Sequence, residues 1–510
     1  MFARVHSAAT QGLEARVLDV EVDVARGLPR FTIVGLPDAS VREARERVRS
    51  ALKNGGFAVP EGAVTVNLAP ADFRKCGAAL DLPVALGLLW LGGLRPAQIA
   101  GRIFAGELGL GGEVRPIRGA LCLALAARDA GFGEIVLPAA NAAEAAAVEG
   151  IRVVPVQNLG ETVAHVLGSR PIAPASPKGG SPPDPAQPDF REIRGQAVAR
   201  RSAEIAAAGG HHLLLTGPPG AGKTMLARRM AGILPPLSTS EAIEVTKIHS
   251  VAGVLPAGDG LIRTPPFRSP HHGISSAGLV GGGPRPSPGE ASLAHRGVLF
   301  LDELPEFRRD ALEAMRQPLE ERHLSVVRAR GAVRFPCDVL LVAAMNPCPC
   351  GFRGDPRREC ACDPRERRRY ARKLSGPLLD RIDLHVAVDA VGWKDLRDGS
   401  RCEDSATIGR RVVEARARAA ARRPESSGFR NADLSTEEIA KHCALDHAGA
   451  RLVENAVERI GLSVRAVHRG LRVARTIADL AGSERIGAAH LSEALSLRAP
   501  ALALLTERAG

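Results

Sequence analysis

Short apolar runs alternate with helix-length segments along the first part of the chain. Phe31-Thr-Ile-Val reads as a strand, and Pro37-Asp-Ala-Ser starts a helix over 41–54 that Gly55-Gly56 closes. Residues 64–68 predict another strand and 80–91 a mostly apolar helix. Strands near Ile103 and Val114 precede an alanine-rich helix ending near Gly131, and residues 135–137 resume the sheet. The alternation predicts an α/β domain over 1–168. From 169 to 189 proline, serine and glycine dominate and no apolar period survives, so this stretch reads as an extended linker. Beyond it, the runs at 213–215, 298–301 and 339–344 have the character of strands buried in a parallel sheet, within a module spanning 190–395. Residues 396–510 are nearly all helical in pattern.

Each of those three runs ends in polar chemistry. Gly217-Pro218-Pro219-Gly220-Ala221-Gly222-Lys223-Thr224 fits G-x-x-x-x-G-K-[ST] between a strand and a helical pattern over 225–233. Glycines there let backbone N–H groups turn inward on phosphates, and the helix amino terminus adds partial positive charge. Lys223 is then expected to reach the β- and γ-phosphates of a nucleoside triphosphate, and the Thr224 hydroxyl to ligate Mg²⁺. The second run ends in Asp302-Glu303, at the carboxyl edge where α/β sheets bind ligands. One carboxylate, Asp302, suits Mg²⁺, and Glu303 suits a water that attacks ATP, so hydrolysis is expected as well as binding. The third run ends in Met345-Asn346. Alone, Asn346 is a turn residue before Pro347; in series with the other two strand ends it reads as a γ-phosphate sensor.

Composition narrows the partners. The 510 residues are 45% hydrophobic and 24% charged, which fits a globular chain of two or three domains. A net charge of +12 favours a polyanion, although much of it is local: 353–373 carries nine basic and four acidic side chains. No export signal is visible, and the apolar stretch 82–94 is too short for a bilayer, so no membrane is expected. Nine cysteines without a signal peptide point to a reducing cytoplasm rather than a disulfide framework. Cys348, Cys350, Cys360 and Cys362 form C-x-C-x9-C-x-C, which reads either as a closed structural Zn²⁺ site or as reduced thiols. His271-His272 reads as a loop pair whose side chains point apart.

Two insertions stand inside the nucleotide module. Residues 267–290 are rich in Gly, Pro, Ser and His, and 326–335 predict a hairpin with a basic tip carrying Arg328, Arg330 and Arg334. With these, the chain resembles the magnesium-chelatase-like AAA+ ATPases, most closely the bacterial YifB/ComM family. The resemblance covers nearly the whole length. It rests on the phosphate loop, Phe267-Arg-Ser-Pro-His-His-Gly-Ile-Ser, Gly297-Val-Leu-Phe-Leu-Asp-Glu, Met315-Arg-Gln-Pro-Leu-Glu, Ser375-Gly-Pro-Leu-Leu-Asp-Arg-Ile-Asp and Leu462-Ser-Val-Arg.

The resemblance implies that Lys223, Thr224, Asp302 and Glu303 are the Walker residues and Asn346 the first sensor. It also implies that Arg381 is the arginine finger reaching a neighbouring subunit's nucleotide and Arg465 the second sensor. The helical segment becomes a lid over the nucleotide, and 1–168 a Lon-protease-like domain. There Ala79 and Leu121 stand where a protease needs a serine and a lysine, so no peptide hydrolysis is expected. The implied activity is a homo-oligomeric ring, a hexamer, that drives DNA branch migration as a helicase in natural transformation. The hairpin arginines would then face DNA phosphates. The other implied class is a chelatase-type motor that remodels a protein partner.

Overall fold

A computed structural model describes residues 2–93, 96–177, 188–283, 286–328, 331–355, 357–392, 397, 402–425, 428–460 and 462–498. The chain divides into two compact units, Met1–Pro182 with Ser238–Arg263, and Pro183–Leu237 with Thr264–Gly510.

The first unit is built on a seven-stranded sheet in the order Arg30–Val34, Ala63–Ala69, Glu14–Ala25, Phe2–Gln11, Arg102–Phe104, Glu134–Pro138, Arg152–Val156. The long hairpin of Phe2–Gln11 with Glu14–Ala25 is antiparallel and in register from Phe2 opposite Asp23 to Gln11 opposite Glu14. Glu14–Ala25 pairs antiparallel with Ala63–Ala69, and the remaining neighbours are parallel. The expected helix over 41–54 is broken at Glu43 into Ala39–Arg42 and Ala44–Asn54. Val114–Arg115 pairs with Glu107–Leu108 in a separate ribbon rather than joining the main sheet. Asp81–Leu91 is buried along most of its length, which explains its nearly unbroken apolar sequence.

One segment of this unit comes from far along the chain. Ser238 and Glu241 form a reciprocal capping box that starts the helix Thr239–Ala252, and Gly253 at φ +74° ends it. This helix belongs with the first unit, where the Ser250 carbonyl accepts from the Gly119 N–H (3.2 Å) and the Ala140 carbonyl from Gly258 (2.8 Å).

The second unit carries a five-stranded sheet in the order Phe267–Arg268, Val298–Leu301, Leu340–Met345, Leu213–Thr216, Leu384–Ala387. Every neighbour is parallel. Thr216 lies opposite Met345 and Leu301 opposite Ala343, so the carboxyl ends of the three central strands finish close together. The described residues from 405 onward contain helices and no strand, and Ser405–Ala420, Val464–Leu480 and Ala488–Ser496 contribute to the same hydrophobic core as the sheet. The predicted hairpin consists of His323–Arg328 paired with Gly331–Pro336. No helix among the described residues is long and apolar enough to cross a membrane.

Candidate active site

The phosphate loop leaves Leu213–Thr216 through Gly217, whose N–H donates to the Met345 carbonyl at 3.2 Å. A Cβ at Gly217 would lie 2.1 Å from the Val388 carbonyl oxygen, so the neighbouring strand's continuation admits only glycine here. Gly220 and Gly222 take φ of +77° and +87°, turning the loop into the helix Lys223–Met230. The Lys223 ammonium donates to the carbonyls of Gly217 (2.6 Å) and Pro218 (2.9 Å) and to Asn346 Oδ1 (3.2 Å). Burial holds this lysine below its ordinary pKa, while Asp302 and Glu303 work in the opposite direction.

Thr224 Oγ1 donates to Asp302 Oδ2 at 2.7 Å, bringing a hydroxyl from the first turn of the helix Lys223–Met230 to the carboxylate that follows Val298–Leu301. Hard oxygen donors in this arrangement suit Mg²⁺. Glu303 follows with φ +53°, a left-handed backbone that is uncommon for a residue with a Cβ. Its Oε2 meets His272 Nδ1 at 3.2 Å. His272 was not among the expected site residues. It comes from the Gly/Pro/Ser/His insertion, and the signal for it was the placement of that insertion beside the acidic strand. The two histidines do not point apart: the backbone there is a turn, not a strand, and the rings lie 4.1 Å apart.

Lys223, Thr224, Asp302, Glu303 and Asn346 are thus gathered at one carboxyl edge. Arg381 is at the amino edge, ahead of Leu384–Ala387. It caps the helix Gly376–Asp380 just before Leu384–Ala387, where the Asp383 N–H donates to the His212 carbonyl at 3.2 Å. Its guanidinium donates to Pro377 O (2.6 Å) and pairs with Glu320 (2.6 Å). This edge encloses a polar cavity of about 290 Å³ lined by Arg381, Glu320, Arg322, Asp338, Asp383 and Arg469 among others. Burial opposes the charge of Asp383, but His211 and Arg469 (2.8 Å) keep its carboxyl below the usual carboxylate range. A wider groove of about 700 Å³ runs past Arg228, Phe267 and Arg268 and contains none of the phosphate-loop residues.

Arg465 is exposed in the first turn of Val464–Leu480 and makes no hydrogen bond or ion pair with the phosphate loop. Of the hairpin arginines, Arg328 ends its strand opposite Gly331, and Arg330 lies outside the described residues. Arg334 is exposed, with Nη2 2.9 Å from His323 Nδ1. In the first unit, Leu121 is fully buried in the helix Ala120–Asp129, and the Ala79 carbonyl accepts from Gly106 at 2.8 Å.

The four cysteines of the loop after Asn346 converge. Their sulfurs lie within 4.8 Å of one another, with Cys348 3.3 Å from Cys350 and 3.6 Å from Cys360. Metal–sulfur bonds of about 2.3 Å in a tetrahedron require sulfur separations of about 3.8 Å, so the cluster can hold a metal ion.

Comparison with known proteins agrees with this architecture. Family models described as "Subunit ChlI of Mg-chelatase", "Magnesium chelatase, subunit ChlI" and "Magnesium chelatase, subunit ChlI C-terminal" match residues 20–141, 189–396 and 402–498. The chain is 43% identical over 505 residues to the competence protein ComM of Haemophilus influenzae, covering 98% of this chain and 97% of that one. It is 43% identical over 506 residues to the uncharacterized protein YifB of Salmonella typhimurium, covering 98% and 97%. Over 142 residues, 26% of this chain and 25% of the other, it is 32% identical to Lon protease 2 of Bacillus subtilis. With a Lon-like first unit, a parallel-sheet nucleotide module and a helical C-terminal region, the chain belongs to the YifB/ComM family of magnesium-chelatase-like AAA+ ATPases.

Proposed function

We propose that the protein is a ring-forming ATPase motor that moves along branched DNA as a helicase. The observation that carries the ring is the separation of Arg381 from the phosphate loop. The strands between them are parallel and four residues long, about 13 Å at a strand's rise per residue. An arginine on the far edge is placed to serve a neighbour's nucleotide rather than its own. In this reading Lys223 holds the β- and γ-phosphates of ATP, and Thr224 and Asp302 hold Mg²⁺. Glu303 polarises water, Asn346 senses the γ-phosphate, and Arg381 and Arg465 stabilise the transferring phosphoryl. Closing such an interface around ATP would require Arg381 to leave Glu320.

The DNA assignment draws on the net charge of +12, the arginine-bearing hairpin and the likeness to a protein named for competence. Arg328, Arg330 and Arg334 contact phosphates, and the protein works in the cytoplasm during natural transformation. The four cysteines hold a structural Zn²⁺, and the first unit is a scaffold without peptidase chemistry because Ala79 and Leu121 supply neither nucleophile nor base. A second reading, a chelatase-type motor acting on a protein partner, is favoured by the chelatase-subunit models that match all three parts of the chain.

A synthetic four-way junction distinguishes them. Wild-type protein should separate the junction's arms with ATP and leave them joined without it. Glu303→Gln retains ATP affinity but loses on the order of 10²–10⁴-fold in turnover and, with it, junction separation. ATP hydrolysis without any binding to the junction overturns the DNA reading and leaves the partner-remodelling one.

A further inference from the structure

The four-cysteine loop is built against the nucleotide site from both ends. It begins two residues after Asn346, and its turn brings the Gly351 N–H to the Cys348 carbonyl at 3.0 Å. Gly351 sits at φ +86°, and a Cβ there would stand 2.6 Å from Pro219 Cδ, 2.9 Å from Pro219 Cγ and 3.8 Å from Asn346 Cγ. The loop backbone therefore lies directly on the phosphate loop and beside the amide that contacts Lys223.

The other end returns to the same place. Asp363, next to Cys362, caps the helix Pro364–Arg372. On its inner face the buried Tyr370 phenol lies beside the backbone of Asn346. Lys373, at the helix's end, pairs with Glu306 at 2.9 Å, in the short turn Leu304–Glu306 that follows Glu303. Without a metal, nothing covalent or coordinate would close the long excursion between Cys348 and Cys362, and its ordering would have to come from weak contacts alone.

We infer that the metal-bound loop is a positioning element of the ATPase: the metal at the four cysteines presses Gly351 onto Pro219 and holds Asn346 toward Lys223, so ATP binding and turnover depend on an ion that touches no substrate. The inference rests on the reading of the phosphate loop as the ATP site and of the cysteines as a zinc site. The residues that act this way are Gly351 and Tyr370, through Pro219 and Asn346.

A second glycine of the same loop provides the control. Gly354 has φ +78°, so an alanine there meets the same backbone strain, but nothing lies within 4 Å of its Cβ position. Full-length wild-type, Gly351→Ala, Gly354→Ala and Cys360→Ser/Cys362→Ser proteins are assayed for bound zinc by elemental analysis, for affinity with a fluorescent ATP analogue, and for steady-state KM and kcat. Wild type and both glycine variants should carry about one zinc per chain. Gly351→Ala should raise Kd and KM on the order of 10- to 100-fold, as expected when a binding loop moves by about an ångström. Gly354→Ala should stay within about twofold of wild type. Adding Pro219→Ala to Gly351→Ala should recover part of the lost affinity, a rescue that a general folding defect would not show. The double-serine protein should lose zinc, affinity and kcat together.

Identical behaviour of Gly351→Ala and Gly354→Ala, or a zinc-free protein with wild-type KM and kcat, overturns the inference. Wild type that hydrolyses ATP but contains no zinc overturns it too while leaving the ATPase intact. Wild type that binds zinc but no ATP fails at the earlier reading instead.

Discussion

The first unit and the nucleotide unit are both α/β, yet their strands end differently. Three parallel strands of the first unit, Arg102–Phe104, Glu134–Pro138 and Arg152–Val156, run out into Ala105, Ala139 and Gln157, whereas the three central strands of the second run out into Gly217, Asp302 and Asn346. The first unit has buried charges as well. Asp81 receives the Arg47 guanidinium at 2.6 and 3.0 Å and the Leu108 N–H at 3.2 Å, and Glu134 receives Arg102 at 2.7 Å, Arg152 and His165. Those groups satisfy one another and hold elements together. The nucleotide unit has such pairs too, Arg475 with Asp479 at 3.0 Å among them, but its candidate site residues stand at strand ends, and Lys223 is held by loop carbonyls and Asn346, partners that phosphate oxygens can replace. Buried charge alone does not mark a site; position at a carboxyl edge with exchangeable partners does.

The largest effect that would break this contrast concerns the two edges of the second sheet. Arg381→Ala should lower ATP turnover on the order of 10³–10⁵-fold with the subunit still folded. Mixing it with Lys223→Ala should restore some hydrolysis, because a mixed interface pairs an intact phosphate loop with an intact Arg381. Confirmed rings with no recovery at any ratio would show that Arg381 does not act across subunits.

A smaller effect tests the structural role of charge in the first unit. Arg47→Ala leaves the Asp81 carboxylate buried without its cation, and burial already pushes that carboxyl up against the pull of Arg47. The expected loss is about 3 kcal/mol in unfolding of that unit. Trp90 fluorescence in a Trp393→Phe background reports it, and ATP affinity should remain within about twofold. A large fall in affinity with no loss of stability would give Arg47 a function instead.

The smallest effect is on the hairpin, whose Arg334 is exposed. Replacing Arg328 and Arg330 with alanine should weaken DNA binding evenly across sequences and reduce the slope of log affinity against log salt by roughly one to two. An unchanged slope moves the contact elsewhere, and the arginines of Pro364–Arg372 become the next to test.

Much of this molecule follows from contiguous residues, because turn geometry, strand burial and helix starts are local. The loop between strand and helix, the acidic pair and asparagine ending apolar runs, the cysteine spacing and the hairpin were all legible, with element ends within about three residues. Even the unread first hairpin had its sign in the alternation of Val20, Val22 and Val24 with Glu21 and Asp23. What no local pattern contains is which distant segments meet. Strand order brings Asn346 to Lys223, and the parallel pairing of Leu384–Ala387 with Leu213–Thr216 leaves Arg381 at the amino edge. Packing alone carries the helix Thr239–Ala252 out of the nucleotide module into the first unit, brings His272 to Glu303 and lays Gly351 on Pro219. Those contacts depend on loop closures and on the fit of one element against another, and that information exists only once the whole chain has folded.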